Sequence, residues 1–86
     1  MRFTIEQRHL TDESGKPMAT GNRVTFHTFE AEDVDEVVRL FVRQSNGEVM
    51  GAVLKFPGFQ AVATMRGADG VYTLQVTPSS QRFVQG

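Results

Sequence analysis

The chain has 86 residues, of which 40% are hydrophobic and 22% are charged, with a net charge of -1 and no cysteine. This length predicts one domain over residues 1–78 with a C-terminal tail over residues 79–86, and the missing cysteines exclude disulfides, thiol chemistry and cysteine-based zinc sites. Scattered basic residues argue against nucleic-acid binding, and the lack of a signal-peptide pattern or long apolar run predicts a cytoplasmic protein with no membrane partner.

The N-terminal part of the chain is predicted to form two antiparallel strands joined by a long loop. Phe3 and Ile5 alternate with polar residues, which predicts a strand over residues 2–10. Residues 11–22 are rich in turn-forming residues and form the predicted loop. Residues 23–29 alternate again and predict the second strand. The two alternating sets in this strand are Val24, Phe26 and Thr28, and Arg23, Thr25 and His27.

One amphipathic helix is predicted after the second strand. Asp33 is its predicted N-cap, with Glu36 three residues later in a capping-box pattern, and Gly47 is the predicted left-handed residue that ends it. The apolar positions recur with helical spacing and share one face. These positions are Val34, Val37, Val38, Phe41 and Val42. Leu40 widens this face, so either a loop or the tail covers it or it belongs to a dimer or partner surface.

The C-terminal half of the chain is predicted to complete the sheet. The apolar run over residues 48–56 is compatible with a strand or a short helix, and Gly51 favours the strand. Glycines at both ends of residues 67–70 indicate a tight hairpin between strands at residues 59–66 and 71–77. The side chains predicted to face the helix are Phe59, Ala61, Ala63, Met65, Tyr72, Leu74 and Val76. The opposite side of the sheet is expected to be rich in Thr, Gln and Arg.

Phe56 and Phe59 are the aromatic residues nearest to a nucleic-acid-binding pattern. They faintly resemble the exposed aromatic residues of the RNA-binding strand in RRM domains, which stack on bases. Residues 57–58 break the strand between them, and that fold needs two helices where this sequence predicts one. Both phenylalanines are therefore predicted to be core residues.

The predicted architecture is a two-layer α+β domain, in which a single helix packs on a mostly antiparallel sheet in the chain order β-β-α-β-β-β. In the tail, Phe83 and Val84 either dock on this domain or fray, as chain ends often do.

No group of residues predicts an enzyme. The sequence contains no activated nucleophile pattern, phosphate-binding loop or dinucleotide fingerprint. The acidic residues near the start of the helix lack the spacing of a calcium loop and are favoured there by the helix dipole. We therefore predict no catalytic residue, no metal site and no cofactor.

Two functional hypotheses remain. The leading one is a non-enzymatic interaction module that self-associates or binds a protein partner, with Leu40 on its interaction surface. The alternative is a small-ligand-binding or catalytic domain, whose site contains His27, His9 and Arg8 beside the loop of residues 11–22.

Overall fold

In a computed structural model, which describes residues 1–18 and 23–79, one helix packs on a five-stranded antiparallel sheet. The strands are β1 (Arg2–Thr11), β2 (Arg23–Glu30), β3 (Glu48–Phe56), β4 (Gln60–Gly67) and β5 (Gly70–Pro78), and the helix is α1 (Val34–Gln44). The predicted α+β class and chain order are confirmed, and the segment of residues 48–56 is a strand. Residues 19–22 of the predicted loop and the tail residues Phe83 and Val84 lie outside the described residues.

The strands lie in the order β2-β1-β5-β4-β3, so β1 and β5, the first and last of the described strands, pair near the centre of the sheet. Phe3 of β1 lies between Phe29 of β2 and Pro78 of β5. The edge strand β3 is irregular, because its register with β4 shifts between Met50 and Leu54 and Gly51 takes a φ of 75°. Such a bulge bends the edge of a sheet and interrupts its ladder.

The core lies between α1 and one face of the sheet. Its buried residues are Phe3, Ile5, Val34, Val37, Val38, Phe41, Val42, Ala61, Ala63, Met65, Leu74 and Val76. Ala61 and Ala63, whose side chains are small, are 1% and 2% exposed beneath the helix. The Phe41 ring reaches across to β2, where its centroid lies 4.8 Å from that of His27 and 5.9 Å from that of Phe29.

The helix begins as the sequence predicts, with one difference in its capping. The Asp33 carboxylate accepts a hydrogen bond from the Glu36 amide at 2.9 Å, which confirms the N-cap. The Glu36 carboxylate accepts from the amide of Glu32 at 2.7 Å, one residue before the position used in a capping box. Two exposed backbone donors are therefore satisfied, which is the purpose of the predicted motif.

The prediction that Gly47 takes the left-handed conformation is wrong, because Asn46 does so with a φ of 55°. The Asn46 amide donates to the Arg43 carbonyl at 3.1 Å and the Gly47 amide to the Val42 carbonyl at 3.0 Å, which is the Schellman pattern. Gly47 is required for a different reason. A Cβ at this position would lie 2.8 Å from the Arg66 carbonyl oxygen, so the glycine lets the chain pass close to β4.

The prediction that Phe56 and Phe59 belong to the core is wrong. Phe59 lies in the turn before β4 with a φ of 58°, and 52% of it is exposed. Phe56 alternates with Lys55, whose ammonium group bonds to Asp35 of the helix at 2.8 Å. Because neighbouring residues of a strand point to opposite faces, Phe56 points away from the helix and is 49% exposed.

Candidate functional site

α1 covers one face of the sheet, and the described residues contain no second helix to cover the other face, which we call the open face. Two rows of side chains cross the centre of the open face from β2 to β3. The Arg8 row consists of Val24, Arg8, Thr73, Thr64 and Met50, and the Glu6 row consists of Phe26, Glu6, Gln75, Val62 and Leu54.

The open face exposes large apolar side chains at both of its edges. Phe26 on β2 is 66% exposed, and Leu54 on β3 is 57% exposed. Phe56 lies two residues beyond Leu54 on the same side of β3, and Val62 is paired with Leu54 across the strands. Apolar surface of this kind is unfavourable in water and often marks an interaction site.

The centre of the open face is polar and charged. The Arg8 guanidinium donates to the Glu6 carboxylate at 2.8 Å, so the two charges are paired within the chain. The register places as many acidic as basic side chains on this face in the described part of the chain. They are Arg2, Arg8, Arg66, Glu6, Glu30 and Glu48. A face of balanced charge can complement another balanced surface.

A polar pocket of about 290 Å³ lies on the other face of the sheet, at a corner outside the buried core beneath α1. Its lining residues are Gln7, His9, Met18, Arg23, Thr25, Asp69 and Tyr72. The His9 ring stacks on the Tyr72 ring with centroids 4.2 Å apart. Nε2 of His9 lies 3.0 Å from the Asp69 carbonyl oxygen, which only accepts, so Nε2 is the donor in this hydrogen bond.

Asp69 and Tyr72, which both line this pocket, interact through a hydrogen bond between their side chains. Burial raises the pKa of Tyr72 to about 12, and its hydrogen bond to the Asp69 carboxylate contributes to the increase. The same hydrogen bond lowers the pKa of Asp69. The pair is therefore a protonated phenol and a carboxylate at neutral pH, and the phenol is not poised to act as a base there.

Tyr72 is the only tyrosine and the chain has no tryptophan, so its ionisation can be followed by ultraviolet absorbance. We expect the phenolate to appear in the folded protein with a midpoint near pH 12, compared with about pH 10 for an unperturbed tyrosine. The pKa of Tyr72 is higher in the folded protein than in the unfolded chain, so the protonated phenol contributes to the stability of the fold. This contribution is complete below about pH 10 and is lost as the pH rises through 12.

Asp69→Asn removes the carboxylate and is expected to lower this midpoint while leaving it above that of the unfolded chain, because burial is the larger cause. Circular dichroism recorded at each pH identifies the range in which the protein stays folded. A midpoint near pH 10 in the folded wild-type protein would contradict the proposed environment of Tyr72.

The predicted ligand residues are divided between the two faces of the sheet. His9 lines the polar pocket, and His27 lies close by, with Nε2 3.0 Å from the Gln7 side-chain oxygen and its ring against Phe41. Arg8 lies on the open face and does not join them. From the predicted loop, Met18 is the described residue that lines this pocket.

Leu40, the predicted interaction residue, is half-buried on α1 and stays a prediction. Phe26 and Leu54 are more exposed, yet the sequence did not single them out. Alternation divides a strand into two sides but does not identify the side that faces the helix. The pairing of Glu6 with Phe26 supplies this information, because Glu6 follows the buried Ile5 and must point the other way.

A groove of about 470 Å³ runs between α1 and β3. Its floor contains Val38 and Val42, which are 2% and 7% exposed, and Val49 on β3 is 38% exposed, less than Phe26, Leu54 or Phe56 of the open face. Arg39 and Arg43 line it from the helix. The open face therefore offers more apolar surface than this groove.

No protein-family model matches the chain, and no curated protein or solved structure is significantly similar to it. Within residues 1–18 and 23–79, no helix is long and apolar enough to cross a membrane. The same residues contain no group of three or more His, Cys, Asp or Glu side chains that could hold a metal ion.

Proposed function

We propose that this protein is a small non-enzymatic interaction module whose open face binds another protein chain. One observation carries the proposal: Phe26 and Leu54, the two most exposed large apolar side chains of the described residues, both lie on this face. A partner would remove them from water, which is worth roughly 25 cal/mol for each Å² of apolar surface. The cytoplasmic location predicted from the sequence is part of this proposal.

The open face has the dimensions of a protein interface. Five strands spaced by about 4.8 Å, with about 3.3 Å per residue along strands of this length, give a face of about 24 by 25 Å. This footprint is comparable with one side of a standard interface, which buries about 800 Å² per partner. A sheet face can also pack directly on another sheet face, with the two sheets about 10 Å apart.

Two matched substitutions test this assignment. We expect the tagged wild-type chain, purified from its own cells, to carry a second protein chain in native mass spectrometry. Leu54→Asp places a charge on the open face and is expected to remove that chain, because a carboxylate buried in an interface without a partner is strongly unfavourable. Leu40→Asp makes the same chemical change on α1 and is expected to leave the complex intact.

The same spectra separate the possible outcomes. Loss of the complex with Leu40→Asp alone would move the interaction surface to α1, where the sequence first predicted it. A strictly monomeric wild-type chain without any bound protein would contradict the interaction module itself.

A second candidate function is binding of a small polar ligand in the polar pocket. The observation that favours it is the convergence of His9, Arg23, Asp69 and Tyr72 on one concavity, since small-ligand sites combine a cavity with a few polar groups. Arg23 forms no ion pair among the described residues, so its charge is available to a ligand. A small bound mass that survives Leu54→Asp and disappears with Arg23→Ala would support this function.

A further inference from the structure

We infer that the partner of the open face is a second copy of this chain, related by a two-fold axis that crosses the strands between the Arg8 row and the Glu6 row. The inference rests on the proposed function and deepens it by naming the partner and the register. It follows from the positions of charged and apolar side chains in these two rows.

A sheet face that packs on its own copy has two simple symmetric arrangements, because the two-fold axis must lie in the plane between the sheets. The axis runs either along the strands or across them. The two choices bring different residues of the two rows together, so the register of the sheet distinguishes them.

An axis along β5, the middle strand of the five, would place β1 over the partner's β4. Glu6 would then face the partner's Val62, and Arg8 would face the partner's Thr64. This arrangement buries a carboxylate against an aliphatic side chain, which is unfavourable without a compensating group on the partner. The apolar residues at the sheet edges would meet, but the charges at the centre would not.

An axis across the strands places each strand antiparallel over its own copy and exchanges the two rows. Glu6 then faces the partner's Arg8, and Arg8 faces the partner's Glu6. At the β2 edge, Phe26 faces the partner's Val24. At the β3 edge, Leu54 faces the partner's Met50. Charged groups therefore meet opposite charges on β1, and apolar groups meet apolar groups at both edges of the sheet. Between them, Gln75 faces the partner's Thr73 and Val62 faces the partner's Thr64.

Glu6 and Arg8 form an ion pair within each chain before any partner binds. The two charged groups lie 2.8 Å apart, and the Glu6 and Arg8 side chains are only 30% and 41% exposed. Two such pairs related by the axis form a cluster of four charges with alternating signs, so neither charge is left unpaired when water is excluded. Facing sheets are rotated by about 30° about the normal to their planes, and this rotation least displaces residues near the centre of the face, where β1 and β5 lie.

The experiment uses the purified recombinant chain of 86 residues and sedimentation velocity over a wide concentration range. The wild-type chain is expected to form a dimer. Glu6→Arg gives four clustered positive charges in the dimer, and Arg8→Glu gives four negative ones. Each variant alone is expected to raise the dimer dissociation constant about tenfold or more, because like charges in an interface are strongly unfavourable.

Mixing the two single variants is the decisive measurement. In the proposed register, the arginine at position 6 of one chain meets the glutamate at position 8 of the other, and the remaining charges are also complementary. A one-to-one mixture is therefore expected to form a heterodimer, and the double variant Glu6→Arg/Arg8→Glu is expected to self-associate again. Circular dichroism of each variant verifies that it is folded before mixing.

The outcomes separate the inference from the proposed function. If Leu54→Asp dissociates the dimer but the mixture of single variants does not associate, the register is overturned and the open face stands. If the recombinant chain is monomeric while the cell-purified chain carries a different protein that Leu54→Asp removes, the second-copy inference is overturned and the proposed function stands.

Discussion

Gly70→Ala is expected to lower the free energy of unfolding by about 3 kcal/mol or more, a large part of the stability of a domain this small. Gly70 begins β5 with a φ of 135°, which residues with a side chain rarely adopt. A Cβ there would overlap the Thr11 carbonyl oxygen and lie 2.9 Å from the carbonyl carbon of Asp12. Both β1 and β5 are central strands, so neither can move aside without disturbing the sheet.

Gly15→Ala is the matched control for this effect. Gly15 also has a positive φ, of 89°, but a Cβ there would have no atom within 4 Å. This substitution is expected to cost only the backbone strain of about 1–2 kcal/mol. Urea unfolding of both variants measures the difference. Equal losses in the two variants would show that the approach of β5 to β1 is not as close as described.

Phe41→Ala is expected to destabilise the protein by about 3–5 kcal/mol, the usual range for removing a buried phenylalanine. Phe41 is 2% exposed and touches the helix-facing side of β2, where the rings of His27 and Phe29 lie against it. Alanine would leave a cavity between α1 and that edge of the sheet. Because α1 contains several valines, which are weak helix formers, it depends on this packing.

Phe26→Ala makes the same change at a phenylalanine that is 66% exposed, and it provides the control. In the monomer it is expected to cost less than about 1 kcal/mol, as exposed substitutions usually do. Urea unfolding at low protein concentration compares the two variants without self-association. A loss at Phe26 as large as that at Phe41 would contradict the assignment of Phe26 to the open face.

The features that the sequence predicts well depend on neighbouring residues. The N-cap at Asp33 and the apolar spacing of α1 are local signals, and both are present in the structure. The hairpin between β4 and β5 is also local, with Gly67 paired directly with Gly70 around a two-residue connection. Short-range turn and capping chemistry fixes these elements without reference to the rest of the fold.

The features that the sequence does not predict depend on pairing between distant strands. Val24 and Phe26 belong to the more apolar set of β2, yet His27 and Phe29 lie beneath the helix. The pairing of β2 with β1 decides this, and a shift of one residue would reverse every side chain. The polar pocket has the same origin, because His9 meets Tyr72 only through the pairing of β1 with β5.

The central position of β1 and β5 also governs how the chain reaches its fold. The hydroxyl groups of Thr4 and Ser79 lie 2.6 Å apart although 75 positions separate them in the sequence. Contacts between such distant positions slow folding, because a long loop must close before they form. A nascent chain therefore emerges from the ribosome with one edge of β1 unpaired until β5 has been made. During synthesis this interval leaves the chain open to chaperones and to misassembly.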